Sequence, residues 1–260
     1  MVSDFVVAFI LAVIQGISEW FPISSSGHLV LASYILGFEN SLAFDVALHF
    51  GTLMAVFVYF GKDITDILRD VLSFKFKTDN GKMGLFLIIA TIPAAFIGFL
   101  LRHFIENSLN NLYLLALGFS ITGVLLLISS LDVKLIKNNK LSYGIALGIG
   151  LFQVASLFRG ISRSASTICG GVLLGLDQKK AARFSFLMSI PIIFGANLLT
   201  IGTSTIPTNY FWAALVSFVV GLATIHVLLK FVLTNRRNLR WFGIYVLVVA
   251  ISLGLWLAFQ

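Results

Sequence analysis

Residues 15–28 read QGISEWFPISSSGH and residues 159–167 read RGISRSAST. Each is a polar, Ser- and Gly-rich interruption inside an apolar stretch too long for one ordinary membrane span, about 5–36 for the first and about 143–176 for the second. Irregular backbone finds no hydrogen-bond partners in lipid, so it survives at membrane depth only when buried in protein or lining a watery cavity. Both stretches are therefore predicted to be helical hairpins that enter the bilayer and turn back within it.

The rest of the chain fits that solvent. Hydrophobic residues make up 58% of the 260 positions and charged residues only 11%, where a soluble domain carries roughly a quarter charged; mean hydropathy is +1.00. A soluble enzyme and a disordered chain are excluded. The net charge of +7 lies in the connections rather than in a basic stripe interleaved with aromatics, which excludes a nucleic-acid-binding module. Six further apolar stretches run at about 42–60, 84–101, 112–131, 184–201, 211–229 and 241–259, each close to the roughly 20 residues a spanning helix needs. Residues 5–14 are preceded by no Lys or Arg and followed by no small-residue cleavage site, so they read as part of the mature protein. The single cysteine, Cys169, has no partner for an internal disulfide.

Cytoplasmic loops carry the excess of Lys and Arg. Fifteen of the eighteen basic residues lie in the 61–83, 132–142, 177–183 and 230–240 connections, whereas 37–41 and 202–210 hold none and 102–111 only Arg102. With 132–142 and 177–183 both cytoplasmic, the stretch between them leaves and returns on one side, as a re-entrant hairpin does. Counting back places 37–41 outside, so the first hairpin enters from the opposite face and both termini lie outside. The predicted fold is an all-α integral membrane protein, multi-pass in the plasma membrane, with two re-entrant hairpins and six spanning helices in one domain over residues 1–260.

Sliding the sequence on itself by 138 positions pairs Gln15 with Gln153, Ser18 with Ser156, Ile23 with Ile161, Ser24 with Ser162, Ser26 with Ser164, Leu36 with Leu174 and Gly37 with Gly175. These seven identities fall without a gap in a window of 23 residues. The halves, about 1–131 and 143–260, each hold one hairpin and three spans. An odd number of spans inserts them in opposite orientations, giving an inverted-topology repeat whose broken helices meet near the bilayer midplane.

The two clusters carry the polar chemistry. Gln15 and Glu19, four apart, project from one helix face and can converge on one ligand or ion. Pro22 stops that helix. Ser24, Ser25, Ser26 and Gly27 then offer hydroxyls and free N–H groups ahead of a helix starting near His28, a favourable place for an anion. The second cluster repeats the turn-into-helix pattern and adds Arg159 and Arg163, whose planar forks suit phosphate. Ionisable groups inside a membrane are costly and by default functional. Together these are parts for holding and cleaving a phosphate ester or anhydride.

These segments resemble those of the bacterial undecaprenyl-pyrophosphate phosphatase family, a bacitracin-resistance-type integral membrane phosphatase. QGISEWFPISSSGHL is similar to its first signature, and RGISRSAST to its second; FDVALHFGTLMAVF and AARFSFLMSIP also look like family segments. The resemblance covers essentially the whole chain with motif order intact. It implies hydrolysis of undecaprenyl pyrophosphate to the monophosphate at the outer face, recycling the lipid carrier of cell-wall synthesis. By position Glu19 matches the family's essential carboxylate, Gln15 its first acidic-or-amide residue, and Ser25 and His28 its serine and histidine. Ser162, Arg163, Ser164 and Thr167 match the phosphate-binding segment. The family's divalent cation, Mg²⁺ by analogy, would take Glu19 and Gln15 as ligands, consistent with a hard ion that prefers oxygen. Arg159 stands where the family usually has Pro, Ala165 where Gly is common, and Gln15 is the amide variant, which cannot act as a base.

In the mechanism expected from these assignments, Arg163 and nearby N–H groups clamp the pyrophosphate while Ser25 attacks the terminal phosphorus or orients a water that does. His28 accepts the proton, an unperturbed imidazole pKa near 6.5 suiting that role. Each assignment has a plainer reading beside it. Glu19 could sit at the interface beside Trp20, Arg163 could snorkel, Ser24 and Ser26 could cap a helix or touch substrate, and His28 could be a buried hydrogen-bonded imidazole. Asp45 and His49, four apart, read as supports behind the site; Arg159 divides between ligand and interface. Asp177 and Arg183 read as a solvated loop and His226 as helix packing. Acid-phosphatase-like lipid phosphatases want a histidine soon after Ser-Arg, and none follows Ser162-Arg163 before His226. The remaining rival is a transporter or flippase of polyprenyl phosphate or another anion. Against it stands the Glu19, Ser25 and His28 set, because anion binding alone needs no carboxylate. The expected partners are the membrane and a polyprenyl pyrophosphate lipid, with no nucleic acid and with room for a homodimer.

Overall fold

The computed structural model describes residues 4–38, 41–109, 111–131, 139–201 and 210–259. Every regular element among them is helical, which makes the chain an all-α protein. In order these are α1 (Asp4–Ser18), α2 (Ser25–Leu36), α3 (Leu42–Tyr59), α4 (Gly61–Leu72), α5 (Asp79–Leu100), α6 (Arg102–Ser108), α7 (Leu112–Ser130), α8 (Tyr143–Val154), α9 (Arg163–Leu173), α10 (Gln178–Ile201), α11 (Phe211–Lys230) and α12 (Leu239–Ala258). Several helices start where the sequence supplies a side-chain acceptor for unpaired N–H groups. Ser41 accepts from Phe44, Thr78 from Gly81, Asn111 from Tyr113 and Leu114, and Ser142 from Ile145.

Four helical stretches are long and apolar enough to cross a membrane: Asp79–Leu100, Leu112–Ser130, Phe211–Thr234 and Arg236–Ala258. The pair α3 and α4, bent by 80° at Phe60, makes a fifth if taken as one span. Six spans were expected and four or five are found among the described residues; α10, over the expected 184–201 stretch, is not one of them, and its side chains at 196–201 lie outside those described. Only 22–39% of each of the four spans is buried inside the protein, so most of their apolar surface faces outward, as lipid requires. Of the basic residues that argued for orientation, Lys134 and Lys137 lie outside the described residues.

Two connections differ from expectation. Residues 61–83, read as a charged connection, hold the helix α4, with Ile67 buried and Lys62, Asp63, Asp66 and Arg69 on the same short segment. Its apolar residues are spaced for one helix face, a pattern masked in the sequence by the density of charge around it. Arg183 sits in α10 rather than in a loop, and its Nη2 pairs with Asp63 Oδ1 at 2.8 Å.

The apolar stretch 5–36 folds as α1 and α2 packed on each other around a turn at 19–24, and the stretch 143–176 as α8 and α9 around a 3₁₀ turn (Ala155–Leu157) and residues 158–162. α1 also packs on α11, α8 on α5, and α9 on both α10 and α7. The closest crossings use residues without side chains, as expected where dispersion and backbone contact replace a hydrophobic driving force. A Cβ on Gly123 of α7 would lie 3.0 Å from the Gly243 carbonyl of α12. Gly160, in the second turn, has φ +88° and lies against the Leu115 carbonyl, so both its backbone angle and its surroundings require glycine.

Candidate active site

The two turns meet. α1 is regular to Ser18, and its helical bonding continues through Glu19 N to Gln15 O at 3.0 Å and Phe21 N to Ile17 O at 3.1 Å, as far as Pro22. That places the Glu19 carboxylate against the second turn. Arg163, the first residue of α9, donates from Nη2 to Glu19 Oε1 at 2.6 Å. Ser25, the first residue of α2, donates to Glu19 Oε2 at 2.6 Å, and Gln15 Nε2 donates to the same oxygen at 3.2 Å. Ser164 Oγ donates to Phe21 O at 3.1 Å, a second link between the turns. Glu19 is 7% exposed and Arg163 14%, so the charges are held away from water and each depends on the other.

The second turn is braced from α7. Thr122 Oγ1 donates to Gly160 O and accepts from Ser162 N, both at 3.0 Å. Ser162 caps α9 by accepting from Ala165 N, and its hydroxyl lies 3.1 Å from Ser164 Oγ. Arg163 is thereby fixed at the helix start, its guanidinium 5.4 Å from the Trp20 ring centroid and its buried Nη1 without a partner. Ser24 has φ +74°, an unfavourable backbone for a residue with a Cβ, and its buried hydroxyl is unpartnered. Strain of this kind collects at working sites.

A cavity of about 810 Å³ lies between the turns. Its polar wall holds Glu19, Ser24, Ser25, Ser26, Ser162, Arg163 and Ser164, together with Asp45, His49, Gln153, Ser156 and Arg159; its apolar wall includes Leu29, Val30, Leu112, Ile161 and Ile193. The lining thus sets charged and hydroxyl groups beside apolar side chains, the mixture found in ligand clefts.

Not every expected residue reaches this cavity. His28 is not among its lining residues. Its Nδ1 lies 2.8 Å from Ser24 O and its Nε2 2.8 Å from Tyr245 OH, with the two rings stacked at 5.6 Å. Because a carbonyl only accepts, Nδ1 carries the proton, and Nε2 takes the tyrosine hydroxyl. The group that accepts from Ser25 is Glu19. Thr167 is also off the cavity, bonded to Arg163 O at 2.8 Å and to Ser185 Oγ at 2.6 Å. Gln15 reaches the site through Glu19 and is fully buried.

The sequence underweighted His49 and Asp45. His49 Nε2 lies 3.7 Å from Glu19 Oε2, and its Nδ1 is held 2.8 Å from Asp45 O. Their spacing of four was the available signal. Tyr245 and Thr122, on helices far along the chain, left no signal at all.

Among the described residues no group of three or more His, Cys, Asp or Glu could hold a metal ion. The oxygen atoms gathered at Glu19 are its own carboxylate, with Oε1 taking Arg163 and Oε2 taking Ser25 and Gln15, the Ser25 hydroxyl, and the Gln15 amide oxygen, which is buried and unpartnered. Mg²⁺ commonly binds through one or two carboxylates plus water and substrate phosphate. These are oxygen donors of the type a hard cation takes.

A family profile described as Bacitracin resistance protein BacA matches residues 8–252. The chain belongs to the BacA family. Among its BacA-like relatives, a protein from Thermosipho africanus named "Undecaprenyl-diphosphatase" is 40% identical over 246 residues, covering 93% of this chain and 96% of the relative. One of the same name from Caldicellulosiruptor bescii is 41% identical, covering 92% of each chain. Another from Methanococcus vannielii is 34% identical over 93% of this chain and 96% of its own. Family membership carries the reaction class in its relatives' names, and in this chain Glu19, Ser25 and Arg163 meet on one cavity wall.

Proposed function

We infer that this chain is a membrane-bound undecaprenyl-diphosphatase, removing the terminal phosphate of undecaprenyl pyrophosphate to leave the lipid monophosphate and inorganic phosphate. Relatives of that name align with it over nearly their full lengths. The observation that carries the chemistry is the 2.6 Å bond from Ser25 Oγ to Glu19 Oε2, with Arg163 on the other carboxylate oxygen. A hydroxyl donating to a buried carboxylate is a nucleophile paired with its base. A carrier that only moved the lipid phosphate has no use for that pair.

Ser25 Oγ attacks the terminal phosphorus and gives its proton to Glu19. The bridging P–O bond breaks, and its electron pair leaves with the lipid phosphate. Water then cleaves the phosphoserine, releasing phosphate, and the proton on Glu19 returns to Ser25. Arg163 Nη1 and the N–H groups at the start of α9 stabilise the charge on the transferring phosphoryl oxygens. His28 holds the Ser24 carbonyl and so fixes the backbone from which Ser25 projects. A divalent cation, Mg²⁺ by its donors, would be held by Glu19 and Gln15 and would neutralise phosphate charge.

Two inverted halves, each with one re-entrant hairpin, account for this site. Support comes from the matched Gln, Ser and Ile positions 138 residues apart, from two broken helix pairs of similar length, and from basic residues on alternate connections. In this topology the cavity opens to the outer face and both termini lie outside.

Release of inorganic phosphate from undecaprenyl pyrophosphate by the purified chain, with and without EDTA, tests the reading beside Glu19→Gln. The expected result is release by the parent chain, at least a hundredfold less by Glu19→Gln, and inhibition by EDTA. No release by the parent chain from any prenyl pyrophosphate overturns it.

A further inference from the structure

Gln153 is the least explained polar residue in the cavity. It is 1% exposed, it lines the wall, and neither its carboxamide oxygen nor its nitrogen has a partner. Buried polar groups in folded proteins are nearly always paired, so an orphaned donor and acceptor on a cavity wall call for a ligand.

Its counterpart in the other half shows which partner is missing. Gln15, 138 residues earlier, donates from Nε2 to Glu19. The position matching Glu19 in the second half is Leu157, which also lines the cavity. Gln153 thus has the amide of the first half without its carboxylate. An anion brought in from outside replaces it.

Arg159 lies on the same wall. Its Nη1 donates to Leu109 O at 3.0 Å, which fixes the guanidinium beside the cavity. Arg163 is engaged with Glu19 through Nη2, so Arg159 is the second permanent cation facing the space. Asp45 also lines the wall and keeps its Oδ1 buried and unpartnered. Ser156, also on the wall, is tied to this segment, its hydroxyl donating to the Gln153 main-chain O at 2.7 Å.

We propose that Gln153 and Arg159 form a second phosphate subsite, which holds the phosphate that stays on the lipid while Arg163 and Ser25 act on the terminal one. This rests on the hydrolase reading above. A diphosphate has two anionic centres, and the Glu19 and Arg163 pair addresses one of them. When the bridging P–O bond breaks, negative charge grows on the retained phosphate. A guanidinium fork and an amide N–H aimed there stabilise that charge. Gln153 and Arg159 bind and position; they exchange no proton.

The product separates the two subsites, because prenyl monophosphate carries only the retained phosphate and inorganic phosphate only the released one. The test uses the full chain in detergent, with prenyl pyrophosphate as substrate and each product as a competitive inhibitor. Gln153→Leu and Arg159→Leu are expected to weaken prenyl monophosphate inhibition about tenfold each and to raise KM for the substrate, leaving inhibition by inorganic phosphate unchanged. Gln153→Glu, equal in size but negatively charged, is expected to weaken monophosphate inhibition further; Arg159→Lys is expected to restore part of what Arg159→Leu loses. Unchanged monophosphate inhibition in Gln153→Glu overturns the proposal, and so does equal loss of inhibition by both products in every variant. Direct binding of prenyl monophosphate to the parent chain and to Gln153→Glu reads the subsite without turnover. A parent chain that binds the monophosphate through Gln153 but releases no phosphate overturns the hydrolase reading alone.

Discussion

Glu19 and Arg163 are 144 residues apart in sequence, on turns that break two different helix pairs, and their side chains meet at 2.6 Å. Removing one partner leaves the other charge buried and uncompensated, at a cost of roughly 3–5 kcal/mol. Arg163→Met is expected to destabilise the protein by an amount in that range and to abolish turnover. Adding Glu19→Gln to it should recover part of the stability and none of the activity. Denaturant unfolding in detergent, run as a double-mutant cycle, measures the coupling. Additive losses would mean that the pair does not hold the turns together.

His28 is expected to act by holding the Ser24 carbonyl. Asn can place a donor near the position of Nδ1, so His28→Asn should keep activity within about tenfold of the parent while His28→Ala falls about a hundredfold. Phosphate-release rates decide it. If Asn and Ala are equally inactive, the imidazole moves protons. Tyr245→Phe removes the hydroxyl on Nε2 and should cost about 1 kcal/mol of stability with a smaller loss of rate.

Ser24 holds φ +74°, a conformation that costs a residue with a Cβ roughly 1–2 kcal/mol. Ser24→Gly is expected to raise unfolding stability by about 1 kcal/mol and lower kcat, because the turn that presents Ser25 loosens. Thermal unfolding and steady-state kinetics on one preparation test both halves. A variant less stable than the parent would show that the Ser24 side chain contributes more than its backbone costs.

Arg183 and Asp63 form a largely exposed pair, and neither lines the cavity between the two turns. Arg183→Ala should change stability by less than about 1 kcal/mol and leave turnover at the parent rate. A large loss of activity would connect the α4 region to the cavity.

The sequence made the two helix breaks legible because polar interruptions of apolar stretches leave few structures that lipid permits. It made Glu19, Ser25 and Arg163 legible because charges and hydroxyls inside such stretches are expensive and therefore conspicuous. What it could not show was direction. His28 and His49 each sit four residues from a partner on an apolar helix, and nothing local tells which turns toward Tyr245 and which toward Glu19. Gln153 was visible as a repeat match, but its missing partner is a fact about space. The helix α4 was hidden by charge density: the Lys, Arg and Asp residues around it mask the apolar face formed by Ile64, Ile67, Leu68 and Val71.

The most direct test of the site is phosphate release from undecaprenyl pyrophosphate by the folded Ser25→Ala protein, beside the parent chain at equal concentration. A fall of at least a thousandfold is expected, with thermal unfolding unchanged within a few degrees. Release at the parent rate by a folded Ser25→Ala chain would contradict the assignment of Ser25 as nucleophile and of Glu19 as its base.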